Sequence, residues 1–418
     1  MDAPTPWYRG IPAAAWVVFA VSWLGGLCDG LDTLLFSLVL RPAMGELLGT
    51  TDAGRISTAG AWVQAAFLVG WMGGGLAFGL VADRFGRVRA MIGSILTYAI
   101  MTGLCGLARA PWELAALRFA TGLGVGGELV VVVTLVAETW PERARVQALG
   151  LLASSFQCGY LVASLVFAWV MPHGWRWVFA AGAAPAVLTL LVRLTMKEPA
   201  RWTAARARAA ERGESARLGD LFAPALRGRT VAAAALCAAA LVGFWVCTTW
   251  VPTWIQELVH GPAIAEKSYA TLLFSVAAIA ATALAGTLAG RLGRRRALAV
   301  GLGASALTIA GMFLAVTRPG ALLWASYAAV GFATGSVVSV LYIYLPELFP
   351  TRLRATGKGF VFNVGRLLTA AAVVASGLLI QALHGSFAAA GAAMALVWLA
   401  GLPALRFLPE TRDAPLPD

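Results

Sequence analysis

Gly79-Leu80-Val81-Ala82-Asp83-Arg84-Phe85-Gly86-Arg87 returns 207 residues later as Gly286-Thr287-Leu288-Ala289-Gly290-Arg291-Leu292-Gly293-Arg294. A second pair has almost the same offset. Glu138-Thr139-Trp140-Pro141-Glu142-Arg143-Ala144-Arg145, followed by Gly150, reappears 209 residues on as Glu347-Leu348-Phe349-Pro350-Thr351-Arg352-Leu353-Arg354, followed by Gly359. Two motifs displaced by half of a 418-residue chain mark an internal duplication. In every copy, glycine and charge punctuate an apolar background, so the repeating unit is a set of apolar segments joined by short charged turns.

Those segments are long. Hydrophobic residues make up 60% of the chain, charged residues only 12%, and the mean hydropathy is +0.78. Runs of about 20 apolar residues, the length of a helix that crosses a bilayer, are expected at 12–40, 57–82, 90–108, 112–138, 146–170, 175–195, 230–256, 267–290, 297–316, 320–346, 355–382 and 386–408. Runs such as Val130–Val133 do not alternate in polarity, which excludes a membrane β-barrel. The fold class read from this pattern is an all-α integral membrane protein, with twelve transmembrane helices in two pseudo-symmetric six-helix bundles. The offset carries six spans onto six, so the halves have parallel topology. The organisation predicted is a first bundle over 1–196, a polar linker over 197–229 and a second bundle over 230–418.

Twelve spans place both termini on one side. Most of the 32 Lys and Arg fall in the termini and in the loops on that side, so the termini are predicted to be cytoplasmic in the plasma (inner) membrane. This orientation accounts for the net charge of +12 without nucleic acid. Met1–Gly10 lacks a basic region and a cleavage site, so the first helix is expected to remain as an anchor. Cys28, Cys105, Cys158, Cys237 and Cys247 lie singly in predicted spans, and His173, His260 and His384 lie in or beside loops away from the termini. Neither set forms a metal or disulfide pattern, and no Ser/His cluster supports catalysis, so neither an enzyme nor a metal site is expected.

The chain also lacks a phosphate-binding loop: Lys358 stands in Ala355-Thr356-Gly357-Lys358-Gly359-Phe360, without the hydroxyl that would hold magnesium. Gly122-Leu123-Gly124-Val125-Gly126-Gly127 mimics a dinucleotide fingerprint but sits inside an apolar helix, where close helix packing explains it. No cofactor is expected. An ion gradient, here of protons as co-substrate, or downhill diffusion remains as the energy source.

A charge at the bilayer centre costs about 2.5–3.5 kcal/mol on the mildest scale, which marks intramembrane ionisable residues as candidates for function. Five stand out: Asp29, Asp32, Arg118, Glu128 and Arg366. Asp29 and Asp32 share a helix face and lie at the depth of Arg118, so one of them is expected to pair with it. Glu128 lies about 15 Å deeper along the same helix, where a carboxylate can exchange a proton. Arg366 is a permanently charged planar fork that matches a carboxylate in sign and geometry. Gln157 corresponds to Arg366 under the 209-residue offset, and Ser154 to Asn363. With Gln64 and Trp245 these residues make the candidate substrate site, and Trp62, Trp71, Trp250 and Trp254 are further candidate walls. A structural ion pair between Arg366 and Glu128 is the competing reading.

On these motifs, and over essentially the whole chain, the sequence resembles the major facilitator superfamily. Gly79–Arg87 is similar to the signature loop between the second and third helices of that family. Asp29-Gly30-Leu31-Asp32, the Arg118 to Glu128 stretch, and Glu347-Leu348-Phe349-Pro350-Thr351-Arg352-Leu353-Arg354 with Asn363-Val364-Gly365-Arg366 are similar to its proton symporters for aromatic acids, sialic acid and other organic anions. The resemblance implies the major facilitator fold, a monomer, and proton-driven uptake of a small anionic solute by alternating access. It implies that Asp29, Asp32, Arg118 and Glu128 couple protons and that Arg366 recognises the anion. A cytoplasmic gate is expected from Asp83, Arg84, Arg87, Glu138 and Arg143, with Arg291, Arg294, Glu347 and Arg352 in the second copy. Gly290 replaces the acid there, so the network should be stronger around Asp83. Leu31 departs from the aromatic residue that aromatic-acid members carry, and the Gly-Pro-x-x-Gly-Gly element of drug antiporters is missing from Leu149–Val170. A sugar or polyol porter, binding hydroxyls through Gln157, Gln64 and Asn363, is the alternative.

Overall fold

The computed structural model describes residues 8–193, 218–350 and 353–412. Most of the expected linker therefore lies outside the described residues, as does Arg352.

Twelve α-helices follow one another among the described residues. In the first half they are α1 (Ala13–Leu48), α2 (Ala53–Phe85), α3 (Arg87–Cys105), α4 (Pro111–Thr139), α5 (Glu142–Val170) and α6 (Trp175–Arg193). In the second they are α7 (Arg227–Val259), α8 (Ile264–Leu292), α9 (Arg294–Ala315), α10 (Ala321–Glu347), α11 (Arg354–Ala382) and α12 (Phe387–Ala395). Among the described residues, ten segments are long and apolar enough to cross a membrane, those of α1–α3, α5 and α7–α12. The face of the bundle that carries the chain ends is called the terminal face below, and the other the far face.

The duplicated motif has a structural cause. α2 and α3 are joined by Gly86 alone, and α8 and α9 by Gly293 alone, with φ of 112° and 85°. A one-residue link between helices needs this left-handed backbone, which glycine adopts without the clash a Cβ would bring. Local signals start other helices. The Asp52 carboxylate accepts the backbone N–H of Arg55 at 2.6 Å and caps α2. Pro111 occupies the first turn of α4, where its missing donor is not needed.

Packing repeats with the sequence. In the first half α2 lies against α4, α1 against α5, α3 against α4 and α3 against α6; in the second half the same pairs recur six helices on, as α8–α10, α7–α11, α9–α10 and α9–α12. The halves meet chiefly through α2–α11 and α5–α8, which are themselves exchanged by the same relation. Glycine makes the closest crossings: a Cβ on Gly122 or Gly126 of α4 would fall 2.1 or 1.9 Å from the carbonyl oxygens of Phe67 or Trp71 on α2. This is the packing expected of the glycine run in α4.

The last span differs from expectation. A continuous helix is predicted over 386–408, but α12 gives way at Leu396 to 3-10 turns over Leu396–Gly401 and Pro403–Phe407. Pro403 has no N–H to donate and Gly401 favours the helix weakly, so the α ladder is not sustained.

Candidate functional site

Arg118 of α4 is fully buried, and its guanidinium lies 2.9 Å from the Asp32 carboxylate of α1. The second Asp32 oxygen accepts the Thr102 hydroxyl of α3 at 2.5 Å. The Phe67 ring of α2 lies 4.2 Å from the guanidinium carbon. One cluster thus ties the first four helices together. The expected partnership is found, and the aspartate that forms it is Asp32. Asp29 is 1% exposed and Glu128 is fully buried, so both carboxylates are held out of water.

Phe67 faces two ways. Its ring centroid is 5.6 Å from Trp71 on its own helix and 6.4 Å from Trp245 on α7 of the other half, and Trp71 meets Trp245 edge-on at 5.7 Å. Trp71 also lies 6.1 Å from Phe156 of α5. Arg366 of α11 reaches across the same boundary: its guanidinium carbon stands 5.0 Å from the Trp71 ring. Its side-chain hydrogen bond goes to the Asn363 amide oxygen at 3.3 Å. Arg366 touches no carboxylate among the described residues, so a structural pair with Glu128 is not present. The contact between an arginine of one half and a tryptophan of the other places a fixed cation at the bundle centre against an aromatic wall.

Buried polar atoms without a protein partner lie nearby in the chain. Both amide atoms of Gln64, the amide oxygen of Gln157 and the indole N–H of Trp71 are buried and make no hydrogen bond among the described residues. Such groups carry a desolvation penalty unless something satisfies them. Gln64 and Trp71 are seven residues apart on one face of α2, and Gln157 follows Phe156 on α5.

The other tryptophan candidates do not join this site. Trp62 is 59% exposed, because it stands two residues from Gln64 and so on roughly the opposite face of α2. Trp250 donates to the Ser376 hydroxyl at 2.7 Å, and Trp254 packs on Phe313 at 4.6 Å, both inside the second half.

At the terminal face, Arg294 makes two hydrogen bonds to the Glu347 carboxylate, at 3.0 and 3.1 Å. Both residues belong to the second half, so this pair braces α9 against α10 within it. Arg291 is exposed, and its carbonyl accepts from Arg412 at 2.9 Å. The side chains of Asp83, Arg84, Arg87, Glu138 and Arg143 lie outside the described residues. The sequence reading missed the C-terminal segment that completes the cluster. Glu410 accepts the backbone N–H groups of Arg294 and Arg295 at 2.8 and 3.1 Å, and the Thr411 hydroxyl donates to Glu347 at 2.5 Å. Burial alone would raise the Glu410 carboxyl, but the backbone N–H donors around it outweigh burial and hold it below the usual range. The signal was available in principle: an acid two residues after the last span is suited to a nearby helix N-terminus.

The far face is closed by bonds between the halves. The Thr58 hydroxyl donates to the Gln381 amide oxygen at 3.0 Å, and the Ser57 hydroxyl reaches the Gly377 carbonyl at 3.4 Å, joining α2 to α11. Lys267 of α8, only 1% exposed, donates to the Leu38 carbonyl of α1 at 3.2 Å and to Gln256 of α7 at 2.6 Å, under the Phe167 ring of α5.

Comparison with known proteins agrees with this arrangement. The sequence model described as Major Facilitator Superfamily matches residues 22–373 and 259–417. A cis,cis-muconate transport protein of Acinetobacter baylyi is 32% identical over 87% of both chains. A gallate transporter of Pseudomonas putida is 28% identical over 88% of this chain and 87% of its own, and the sialic acid transporter NanX of Escherichia coli is 27% identical over 86% of both. The xylose transporter XylE of Escherichia coli, solved in an inward-open conformation, superposes with a TM-score of 0.77 over 96% of this chain and 98% of its own; at 19% identity this likeness is one of fold.

Proposed function

The chain belongs to the major facilitator superfamily of multi-pass membrane transporters, and from that premise we propose that it takes up a small organic anion by proton-coupled symport. The observation that carries the proposal is Arg366: a permanent cation at the boundary of the halves, stacked on Trp71 and bonded to Asn363, with no acid among the described residues paired to it. A carboxylate is the ligand that matches a guanidinium fork in charge and shape. The unpartnered amide of Gln64 and the amide oxygen of Gln157 would serve its polar substituents, and Trp71 and Trp245 its flat faces. The relatives named for muconate, gallate and sialic acid support the same class, since all three are organic acids.

In this reading the protein sits in the inner membrane with its terminal face in the cytoplasm. Asp29, Asp32 and Glu128 supply the proton sites, Arg118 holds the Asp32 carboxylate in place, and the halves over 1–196 and 230–418 rock about the site. An anion on Arg366 pairs a buried cation, and a proton on the first half neutralises a buried carboxylate, so the closed site holds fewer uncompensated charges at the same net charge, which favours the change of side. Phe67 links the two events, because one ring packs on Arg118 and on the tryptophans of the substrate wall.

The test is uptake of labelled benzoates, hydroxy acids, sialic acid and neutral sugars into proteoliposomes, with and without an inward proton gradient. The expected result is gradient-driven accumulation of one acid, lost by at least tenfold in Arg366→Ala. Sugar uptake indifferent to the gradient and to Arg366 would overturn the proposal.

A further inference from the structure

Lys358 directly precedes Gly359, the glycine that follows the second copy of the second motif, and has no part in the function proposed above. α11 presents Lys358, Phe362 and Arg366 at four-residue intervals, hence on one face. The Lys358 ammonium lies 5.9 Å from the Phe362 ring centroid, and the Arg366 guanidinium carbon lies 5.9 Å from the same centroid. The two cations therefore flank one ring and are no more than twice that distance apart. The ammonium also sits 4.9 Å from the Tyr342 ring of α10. A lysine this close to a helix end normally extends towards the headgroups. Here it folds back over two aromatic rings of the bundle.

The electrostatics are unbalanced. Lys358 and Arg366 are near enough to repel, and neither touches a carboxylate among the described residues. Ring faces offset part of a cation's desolvation but carry no net charge. Both side chains are only half-buried. A single carboxylate on Arg366 would leave the ammonium uncompensated, whereas a dianion would neutralise both ends.

We propose that Lys358 and Arg366 form a two-cation clamp for a substrate bearing two carboxylates, with a flat unsaturated or aromatic spacer lying against Phe362. The clamp rests on the reading of Arg366 as the anion site and narrows it to dicarboxylates. Arg366 fixes one carboxylate bidentately, and Lys358, a point charge on a flexible stem, meets the second.

The experiment compares 2,4-hexadienedioate with 2,4-hexadienoate, which share a spacer and differ by one carboxylate, as substrates in proteoliposomes under an inward proton gradient. The wild-type protein should favour the diacid, and unlabelled diacid should inhibit uptake of the labelled monoacid more strongly than unlabelled monoacid does. Lys358→Gln should raise KM for the diacid at least tenfold while leaving KM for the monoacid within about twofold, and Lys358→Arg should recover the diacid. Arg366→Gln should impair both acids. Equal inhibition by the two acids in the wild type, or a Lys358→Gln effect that is the same for both, would overturn the clamp while leaving anion transport intact. Transport of neutral sugars and of neither acid would overturn the organic-anion reading and the clamp with it.

Discussion

At the scale of single residues, the strongest constraint is the charge that has been taken out of water. Asp32→Asn should leave Arg118 buried without its counter-ion, a change expected to cost about 3–5 kcal/mol. Thermal unfolding of the purified protein would measure it, and a stability within 1 kcal/mol of wild type would show that the pair is dispensable. Neutralising Glu128 as Gln keeps the shape of the side chain but removes the proton site. Uphill accumulation should then vanish while counterflow exchange of labelled for unlabelled substrate persists; loss of both together would argue against a coupling role. That Arg118 pairs with one of the two aspartates was legible in the sequence because opposite charges at one depth in lipid have few alternatives; that the partner is Asp32 was not, since Asp29 shares its helix face. Lys267 was not, since a lysine at the start of a span is ordinarily read as reaching for water, and only the packing of four helices around it shows otherwise. Of the candidate wall tryptophans, Trp62 is excluded for a local reason: two steps along a helix from Gln64 turn its side chain to the other face, where it is exposed.

Among the elements, α9 shows how a chain end can complete a helix. Its first backbone donors are met by Glu410, an anion at a helix N-terminus. Glu410→Gln should lower the stability of this corner by about 1 kcal/mol, seen as faster hydrogen exchange at the start of α9 at neutral pH. The carboxyl is held below its ordinary value in the folded state, so its contribution is present above about pH 4.3 and is lost as pH falls further. Exchange at these amides that is the same in variant and wild type would mean that Glu410 does not cap the helix. The twelve helices were readable from apolar length and the two halves from the repeated motif. The C-terminal segment was not, because a short polar stretch beyond the last span has no periodicity. The break in α12 was legible only as Gly401 and Pro403, which weaken a helix without fixing where it ends.

For the whole molecule, the structure shows one arrangement of the halves, joined at the far face, and the proposed transport cycle requires a second in which that face opens. Lys267 carries a hydrogen bond across the halves, a contact worth about 0.5–1.5 kcal/mol, so Lys267→Met should raise the population open at the far face by roughly two- to tenfold. Spin labels at Thr51 and His384, exposed positions on the two halves, would report a longer distance in the variant by electron–electron resonance. An unchanged distance distribution would remove Lys267 from the closure. The sequence indicated that the halves must move but not where they touch, since interhelical registers such as Thr58–Gln381 depend on tertiary packing. The central claim, that an organic anion and a proton enter together, is tested most directly by following the lumenal pH of proteoliposomes while an accepted acid is added outside, at a pH well above its pKa and without an imposed gradient. The account predicts acidification of the lumen at the rate of labelled acid entry, absent from empty liposomes and from Glu128→Gln. Entry of the acid with no change in lumenal pH would contradict it.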